Sequence, residues 1–328
     1  MLCRHSTLRH PTGTVIKTPL LVPSFSSKGF RMDKEGNSEV SDALQTCQEA
    51  ITEAMLLSAY DLGHHHIPYD FGFMPEIIIV DSGGYEVSDE HDLSAVWRYK
   101  TEIKKWDLDQ YRSVLNTWPK HVPSIFVSYD NRAPQLKQIE AARELFKDYP
   151  DHLHDFLLKP ETPTQTMLKV ENISPFVEEL SAFDIIGVTE KELGNSLLNR
   201  MLALAKLRRL LDNHKINAPI HVFGSLDPIT SSLYFLAGAE IFDGLTWLRY
   251  SYWDGKAIYY QNFAATIGVH VREDRVLAKS LFDNIYFLQE LKYQMIDFIP
   301  DKDFTKFKFN SEILKQAYDR FRGEGGEG

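Results

Sequence analysis

Short, continuous apolar runs alternate with amphipathic stretches along most of this chain, and few folds accommodate that alternation. The runs are PLLVPSF (19–25), EIIIVDS (76–82), SIFVSYD (124–130), DFLLKPE (155–161), DIIGVTE (184–190), IHVFGS (220–225) and EIFDGLTWL (240–248). Their apolar residues are consecutive, the pattern of strands covered on both faces. Between them, 39–62 carries apolar residues three and four apart, 134–148 is amphipathic, 195–213 has the clearest helical period and 228–239 reads as a short helix. Strand and helix in alternation predict a parallel sheet with helical crossovers, hence an α/β protein. Seven or eight such units over roughly 250 residues fit a closed (β/α)8 TIM barrel better than an open sheet. Long helices at about 275–298 and 311–322 are expected as a C-terminal extension, and YWDGKAIYYQN (252–262) reads as a hairpin around Asp254-Gly255. No Gly/Ser-rich linker interrupts the chain, so residues 1–322 are expected to form one domain, with 323–328 (GEGGEG) a flexible tail.

Composition narrows the chemistry this scaffold can carry. The 36 Lys and Arg against 46 Asp and Glu leave a formal charge of −10, which argues against non-specific adhesion to nucleic acid but permits a local basic rim. Two cysteines, Cys3 and Cys47, exclude a disulfide scaffold and a thiolate-rich zinc site built from this chain. No window approaches ~18 uninterrupted apolar residues, so no membrane span is expected. MLCRHSTLRH lacks the apolar stretch of a signal peptide, and a cytoplasmic location is the expectation. There is no Walker-type or dinucleotide-type Gly-rich loop, and no cofactor is expected.

The runs end in a consistent way. Asp81, Asp130, Lys159 with Glu161, Glu190, Gly224 and Asp243 stand at or just past their C-terminal ends. In a parallel barrel those ends share one rim, the rim on which barrel enzymes build their sites. A single strand-ending Asp is as readily a helix cap or turn former. Three converging aspartates would raise one another's pKa unless one is paired, which suits a division into acid and nucleophile. Asp81 and Asp243 are each followed by a glycine-containing turn and by no obvious helix start.

Four segments in order carry a resemblance. VDSGGYEVS (80–88) resembles the Asp-Ser-Gly-Gly-aromatic-Gln segment of the tRNA-guanine transglycosylases. HVFGSLDPITSSLYFLAGAE (221–240) followed by FDGLTWLRY (242–250) is similar to that family's His-x-x-Gly segment, its Phe-Asp and a later Arg. TGTVIKTPLLVPSFSSKG (12–29) resembles the family's opening strand, and FVSYDN (126–131) stands where the family has Phe-Asp-Glu. The resemblance implies a (β/α)8 barrel that exchanges guanine for a 7-deazaguanine-type base in a nucleic acid, tRNA or DNA, by double displacement. It implies Asp243 as nucleophile, Asp81 as proton carrier, and Asp130 as acceptor for the Watson–Crick edge of a guanine-like base. Tyr85 and Phe223 would stack on that base, Gly187 and Val188 would contact it through their backbone with Glu192 in support, and Arg249 would meet a phosphate. Gly224 and Lys159 complete the expected substrate-binding set. The chemistry is coherent without the family: displacement at an anomeric carbon needs a carboxylate nucleophile and a second carboxyl group to move a proton. A carboxylate can accept adjacent N–H donors, and an aromatic ring is a natural platform for a flipped base.

The chain also departs from the pattern. The family's three cysteines and histidine that bind a structural zinc near the C-terminus have no counterpart after Cys47, Glu86 replaces the Gln, and LLKPET (157–162) puts Lys159 and Pro160 where a base-reading Gln is usual. Some members of the superfamily act on DNA or lie beside bacterial anti-phage defence genes. The alternative reading is therefore a catalytically altered base-binding or scaffold protein, and a third is a transglycosylase acting on a small nucleoside or on a substrate presented by a partner.

Three further features belong to the sequence. Asp61 with His64, His65 and His66 is the one histidine cluster, read as an exposed loop in preference to a metal site. KLRRLL (206–211) is read as the solvated face of an outer helix. The aromatics Trp247, Tyr250, Tyr252, Trp253, Tyr259 and Tyr260, beside Lys256, suit either stacking on nucleic acid or an interface with a second copy or a partner protein. Residues 86–107 are expected to loop over the barrel mouth, and a basic rim at Arg249 and Lys256 would favour a polynucleotide.

Overall fold

The computed structural model describes residues 1–67, 75–88 and 102–327. An N-terminal hairpin, β1 (Thr7–Arg9) and β2 (Val15–Lys17), precedes eight parallel strands: β3 (Leu20–Phe25), β4 (Ala54–Ser58), β5 (Ile77–Asp81), β6 (Ser124–Val127), β7 (Leu153–Leu158), β8 (Ile185–Thr189), β9 (Ile220–Phe223) and β10 (Ile241–Gly244). These pair in chain order, and β10 pairs with β3 to close the barrel. The helices are α1 (Glu39–Cys47), α2 (Ala59–Gly63), α3 (Gly84–Val87), α4 (Leu108–Thr117), α5 (Gln135–Phe146), α6 (Val170–Ile173), α7 (Leu197–Asn213), α8 (Pro228–Leu236) and α9 (Thr246–Arg249). A second hairpin, β11 (Ser251–Trp253) and β12 (Lys256–Ile258), leads to α10 (Tyr260–Ile267), α11 (Glu273–Asp301) and α12 (Ser311–Phe321).

The continuous apolar runs serve two cores. Alternate strand residues such as Val22, Leu56, Ile79 and Val127 fill the barrel interior, while Leu21, Met55, Val80 and Phe126 face the helical layer. Leu8 and Ile16 of the first hairpin join the interior cluster beside Leu20 and Ile77, so the hairpin plugs the N-terminal end. The opposite end is left to polar residues.

Several expectations require correction. The stretch 39–62, read as helical, breaks after α1 and contains β4, the eighth strand. Ala, Met and Leu favour helix, but the slot between β3 and β5 offers this segment two ladders and overrides that preference. Within KLRRLL, Arg208 is fully buried and not solvated; its guanidinium donates to the carbonyls of Ala218 (2.8 Å) and Ile216 (2.7 Å) and meets Asp212 at 2.8 Å. Residues 323–327, expected as a tail, continue from α12 as a helical turn: Gly326 is buried, Arg209 donates to its carbonyl, and Glu327 meets the N-terminal amine at 2.6 Å. The hairpin at Asp254-Gly255 is present, with both residues at positive φ (47° and 72°) as a type I′ turn requires. Of the expected mouth loop, residues 89–101 lie outside the described residues. Among the described residues, no helix is long and apolar enough to cross a membrane.

The C-terminal extension is joined to the segment after the last barrel strand by Asn284 and, between hydroxyls 2.7 Å apart, by Ser280 with Ser251. Asn284 of α11 is fully buried; it accepts the N–H of Tyr252 (2.6 Å) and donates to the carbonyls of Trp247 and Tyr250 (2.7 Å each). It thereby holds the segment just after β10. Replacing it by leucine strands one backbone donor and two acceptors, so Asn284→Leu is expected to lower the unfolding free energy by about 2–4 kcal/mol. Urea denaturation measures this, and a loss below about 0.5 kcal/mol would show that the clamp is dispensable.

Candidate active site

The strand ends converge as their positions imply. Asp81, Asp130, Lys159, Glu190, Gly224 and Asp243 all line one cavity of about 290 Å³ at the C-terminal mouth, together with Tyr85, Glu86, Phe223 and Arg249. Glu161 does not join them: its Oε1 accepts the N–H of Gln135 at 3.3 Å, at the start of α5, and its other oxygen meets Asn172. Gly187, Val188 and Glu192 also stand back from the lining. Val188 faces the helical layer, and Glu192 lies behind Lys159.

Asp243, near the end of β10, is surrounded by donors. Ser24 donates to Oδ2 at 2.7 Å and the Gly224 N–H to Oδ1 at 3.2 Å, with the His221 Nε2 3.3 Å from the same Oδ1. His221 in turn places Nδ1 2.7 Å from Oδ2 of Asp155. The Nε2 contact is a charge contact and not an aligned hydrogen bond. Burial drives the His221 pKa down, but Asp155 and Asp243 outweigh it and raise the imidazole to about 9. Sequence reasoning assigned no role to Asp155 or His221. The period-two inward parity of β7 and β9 was the available signal, since it turns both side chains into the barrel.

Asp81, at the end of β5, is different. Burial first, then Asp130 and Asp243, raise its pKa to about 7 against the Gly83 N–H that it accepts at 3.1 Å. Asp130 meets the Ser82 hydroxyl at 3.0 Å and the Lys159 ammonium at 3.2 Å. Lys159 also lies 3.1 Å from Glu192 and donates to the Thr189 hydroxyl at 3.2 Å, so its ammonium is enclosed by two carboxylates and a hydroxyl. Burial alone would lower its pKa; the two carboxylates outweigh burial and raise it. Glu192 is held from the other side by Arg132 at 2.9 Å. Lys159 is thus a clamp on Asp130.

The turn after Asp81 explains its glycines. Gly83 sits at φ 83°, and a Cβ there would lie 2.7 Å from Cβ of Tyr60. At Gly84 a Cβ would lie 2.5 Å from Cγ of Asp130. The first glycine is needed for the left-handed turn and the second for the approach of Asp130. Trp106 locks the turn by donating to the Ser82 carbonyl at 2.8 Å. A single helical turn, α3 or α9, follows each of Asp81 and Asp243, yet neither carboxylate caps it.

Tyr85 and Phe223 both present rings to the cavity. The Tyr85 hydroxyl accepts from Arg249 at 3.3 Å, and the Lys28 ammonium lies 4.4 Å from the Tyr85 ring centre. Glu86 is buried and accepts the Ser26 hydroxyl at 2.5 Å; burial, then Asp61 and Asp81, raise its pKa to about 8. The rim mixes signs, with Arg132, Lys159, Lys191 and Arg249 among the acids, and Lys256 lies outside it.

The other sequence features are largely structural. Asp61 accepts from His66 at 3.2 Å and from the Ser27 N–H at 2.7 Å, and His64 meets the Lys105 carbonyl at 3.1 Å. Among the described residues no group of three His, Cys, Asp or Glu could hold a metal ion. Trp247 and Tyr252 are core residues, whereas Trp253 and Tyr259 are exposed. A cavity of about 410 Å³, between α2 and α4, is lined by His65, Trp106 and Gln110 among others and, among the described residues, by no carboxylate. A scan against models of protein families finds no match, and a search of curated proteins finds none either.

The raised pKa of Glu86 has a signed consequence. An unfolded Glu titrates near ~4.3, so between there and about 8 the native state holds a proton that the unfolded chain has released. Stability from this residue is therefore full below the lower value and falls as pH rises to the upper one. Glu86→Gln is expected to match the wild type in unfolding free energy at pH 4 and to exceed it by roughly 2–4 kcal/mol at pH 9. Urea titrations at both pH values test this; an equal difference at the two would contradict a buried neutral acid.

Proposed function

We propose that this protein is a transglycosylase that exchanges guanine for a 7-deazaguanine-type base in a polynucleotide, by double displacement on Asp243. The observation that carries the proposal is the pairing, across one cavity, of a donor-surrounded carboxylate with a carboxyl group whose pKa stands near 7. An oxygen of Asp243 attacks the anomeric carbon while the bond from that carbon to the base breaks, its electron pair passing to the base nitrogen. Asp81 gives that nitrogen a proton. The incoming base returns a proton to Asp81 as its own nitrogen attacks the same carbon, and Asp243 leaves as a carboxylate. A pKa near the working pH serves both transfers.

The rest of the cavity supports a base as the ligand. Its volume of about 290 Å³ sits at the lower end of small-molecule pockets, a size for one heterocycle. Asp130, fixed by Lys159 and Ser82, offers acceptors to adjacent N–H groups, and Tyr85 and Phe223 offer ring faces. Arg132, Lys191 and Arg249 at the mouth suit phosphates on either side of the reacting nucleotide.

Labelled guanine is incubated with tRNA, single-stranded DNA and duplex DNA, and the polymer that gains label identifies the substrate. The wild type is expected to form a covalent complex with the polynucleotide that survives denaturing gels; Asp243→Ala should abolish it, and a persisting complex would remove Asp243 as the nucleophile. Asp81→Asn should keep the fold and slow exchange by about 10²–10⁴-fold. Undiminished exchange would refute its proton-carrying role.

A further inference from the structure

One layer of the barrel interior is polar although its surroundings are not. β7, β8, β9 and β10 turn Asp155, Gly187, His221 and Asp243 inward, amid Val22, Leu56, Ile79 and Val127. Asp155 and His221 are fully buried, 2.7 Å apart at Oδ2 and Nδ1. A buried ion pair is a poor source of stability, and apolar residues of equal volume would serve a barrel core as well. The neighbouring strand is fitted to the pair. A Cβ at Gly187 would lie 2.7 Å from Oδ1 of Asp155 and 2.7 Å from the Phe223 ring. The Phe223 ring lies 3.8 Å from that of His221, centre to centre, on the same strand.

The two ring nitrogens face different carboxylates, Asp155 on one side and Asp243 at 3.3 Å on the other. Both contacts are attractive only when each nitrogen carries a proton. Among the described residues Asp155 and Asp243 are the titratable groups that act on the ring: β8 presents Gly187 there, and β10 presents Asp243.

We propose that Asp155 and His221 are a positioning pair for the nucleophile, Asp155 aiming an imidazolium that fixes Oδ1 of Asp243. This rests on the transglycosylase reading and adds to it a source of orientation from the barrel core. Ser24 holds the other oxygen, so the carboxylate is fixed at both ends while it faces the cavity. The elevated imidazole pKa, about 9, agrees with a doubly protonated ring at neutral pH.

The test compares wild type, Asp155→Asn and His221→Gln by nitrogen NMR of histidine-labelled protein and by the rate of covalent-complex formation against pH. His221→Gln assigns the resonance. The wild-type ring should keep both nitrogens protonated at pH 7 and titrate near 9, with Asp155→Asn lowering that midpoint by at least one pH unit, a tenfold change. Complex formation should slow by about 100-fold in both variants, with little change in KM for guanine. The wild-type rate should fall above pH 9, and that limb should move to lower pH in Asp155→Asn. A singly protonated His221 at pH 7, or wild-type rates in both variants, would overturn the positioning role and leave the transglycosylase reading standing. If the wild type forms no complex with any polynucleotide, both readings fail together.

Discussion

The ladder between β10 and β3 is the constraint on which the mouth of this barrel depends. It pairs Asp243 with Val22 and so brings together residues more than 200 positions apart in the chain. Closure sets the Ser24 hydroxyl on Asp243 and the Ser24 carbonyl on the Trp247 indole at 3.1 Å. Trp247 belongs to the segment that Asn284 holds from α11. The orientation of one carboxylate is therefore set jointly by the first barrel strand, the last barrel strand and the C-terminal extension. A loop-borne aspartate would have no such support.

The second constraint is charge. Asp81, Glu86, Asp130, Glu190 and Asp243 share one small cavity, and so many ionised carboxylates could not stand together there unrelieved. Relief comes by two routes, and each leaves a different kind of group. Cations compensate two of the acids, Lys159 serving Asp130 and His221 serving Asp243, whereas Glu190 meets Arg200 at 2.9 Å yet burial still raises its pKa. Asp81 and Glu86 instead have their pKa values raised to about 7 and 8. The division between compensated and proton-holding acids is the one that the proposed displacement needs, and it follows from where each cation can reach.

How much of this was legible in the sequence depended on whether the signal was local. Continuous apolar runs ending in acids located the barrel and most of its polar rim, because strand direction alone decides which ends share a face. β4 was hidden because its composition favours helix and only its neighbours make it a strand. Glu161 stood in the same position as the rim acids but turned back to start α5, a choice made by the backbone after β7. Arg208 was read as solvated because charge usually is; its partners are carbonyls of the α7–β9 loop, which no periodicity shows. Asp155 opens one apolar run and His221 begins the His-x-x-Gly segment in another, but that the two meet shows only once the barrel's parity turns both inward.

The two departures from the motif that the sequence resembles, Glu86 and Lys159, look alike in the sequence, each standing where that motif has an amide, but the structure separates them. Lys159 has its ammonium enclosed by Asp130, Glu192 and Thr189, an arrangement that fixes a carboxylate. Glu86, with its pKa near 8, is largely a neutral carboxyl group at pH 7. A neutral carboxyl group offers one donor and acceptor capacity, much as an amide does. Glu86 can thus occupy a glutamine position without adding charge to a crowded acidic cavity. Above pH 8 it becomes a carboxylate beside Asp61 and Asp81. The substitution therefore makes a position that would be indifferent to pH as glutamine into one that senses alkaline conditions, through the same burial that keeps it protonated below them.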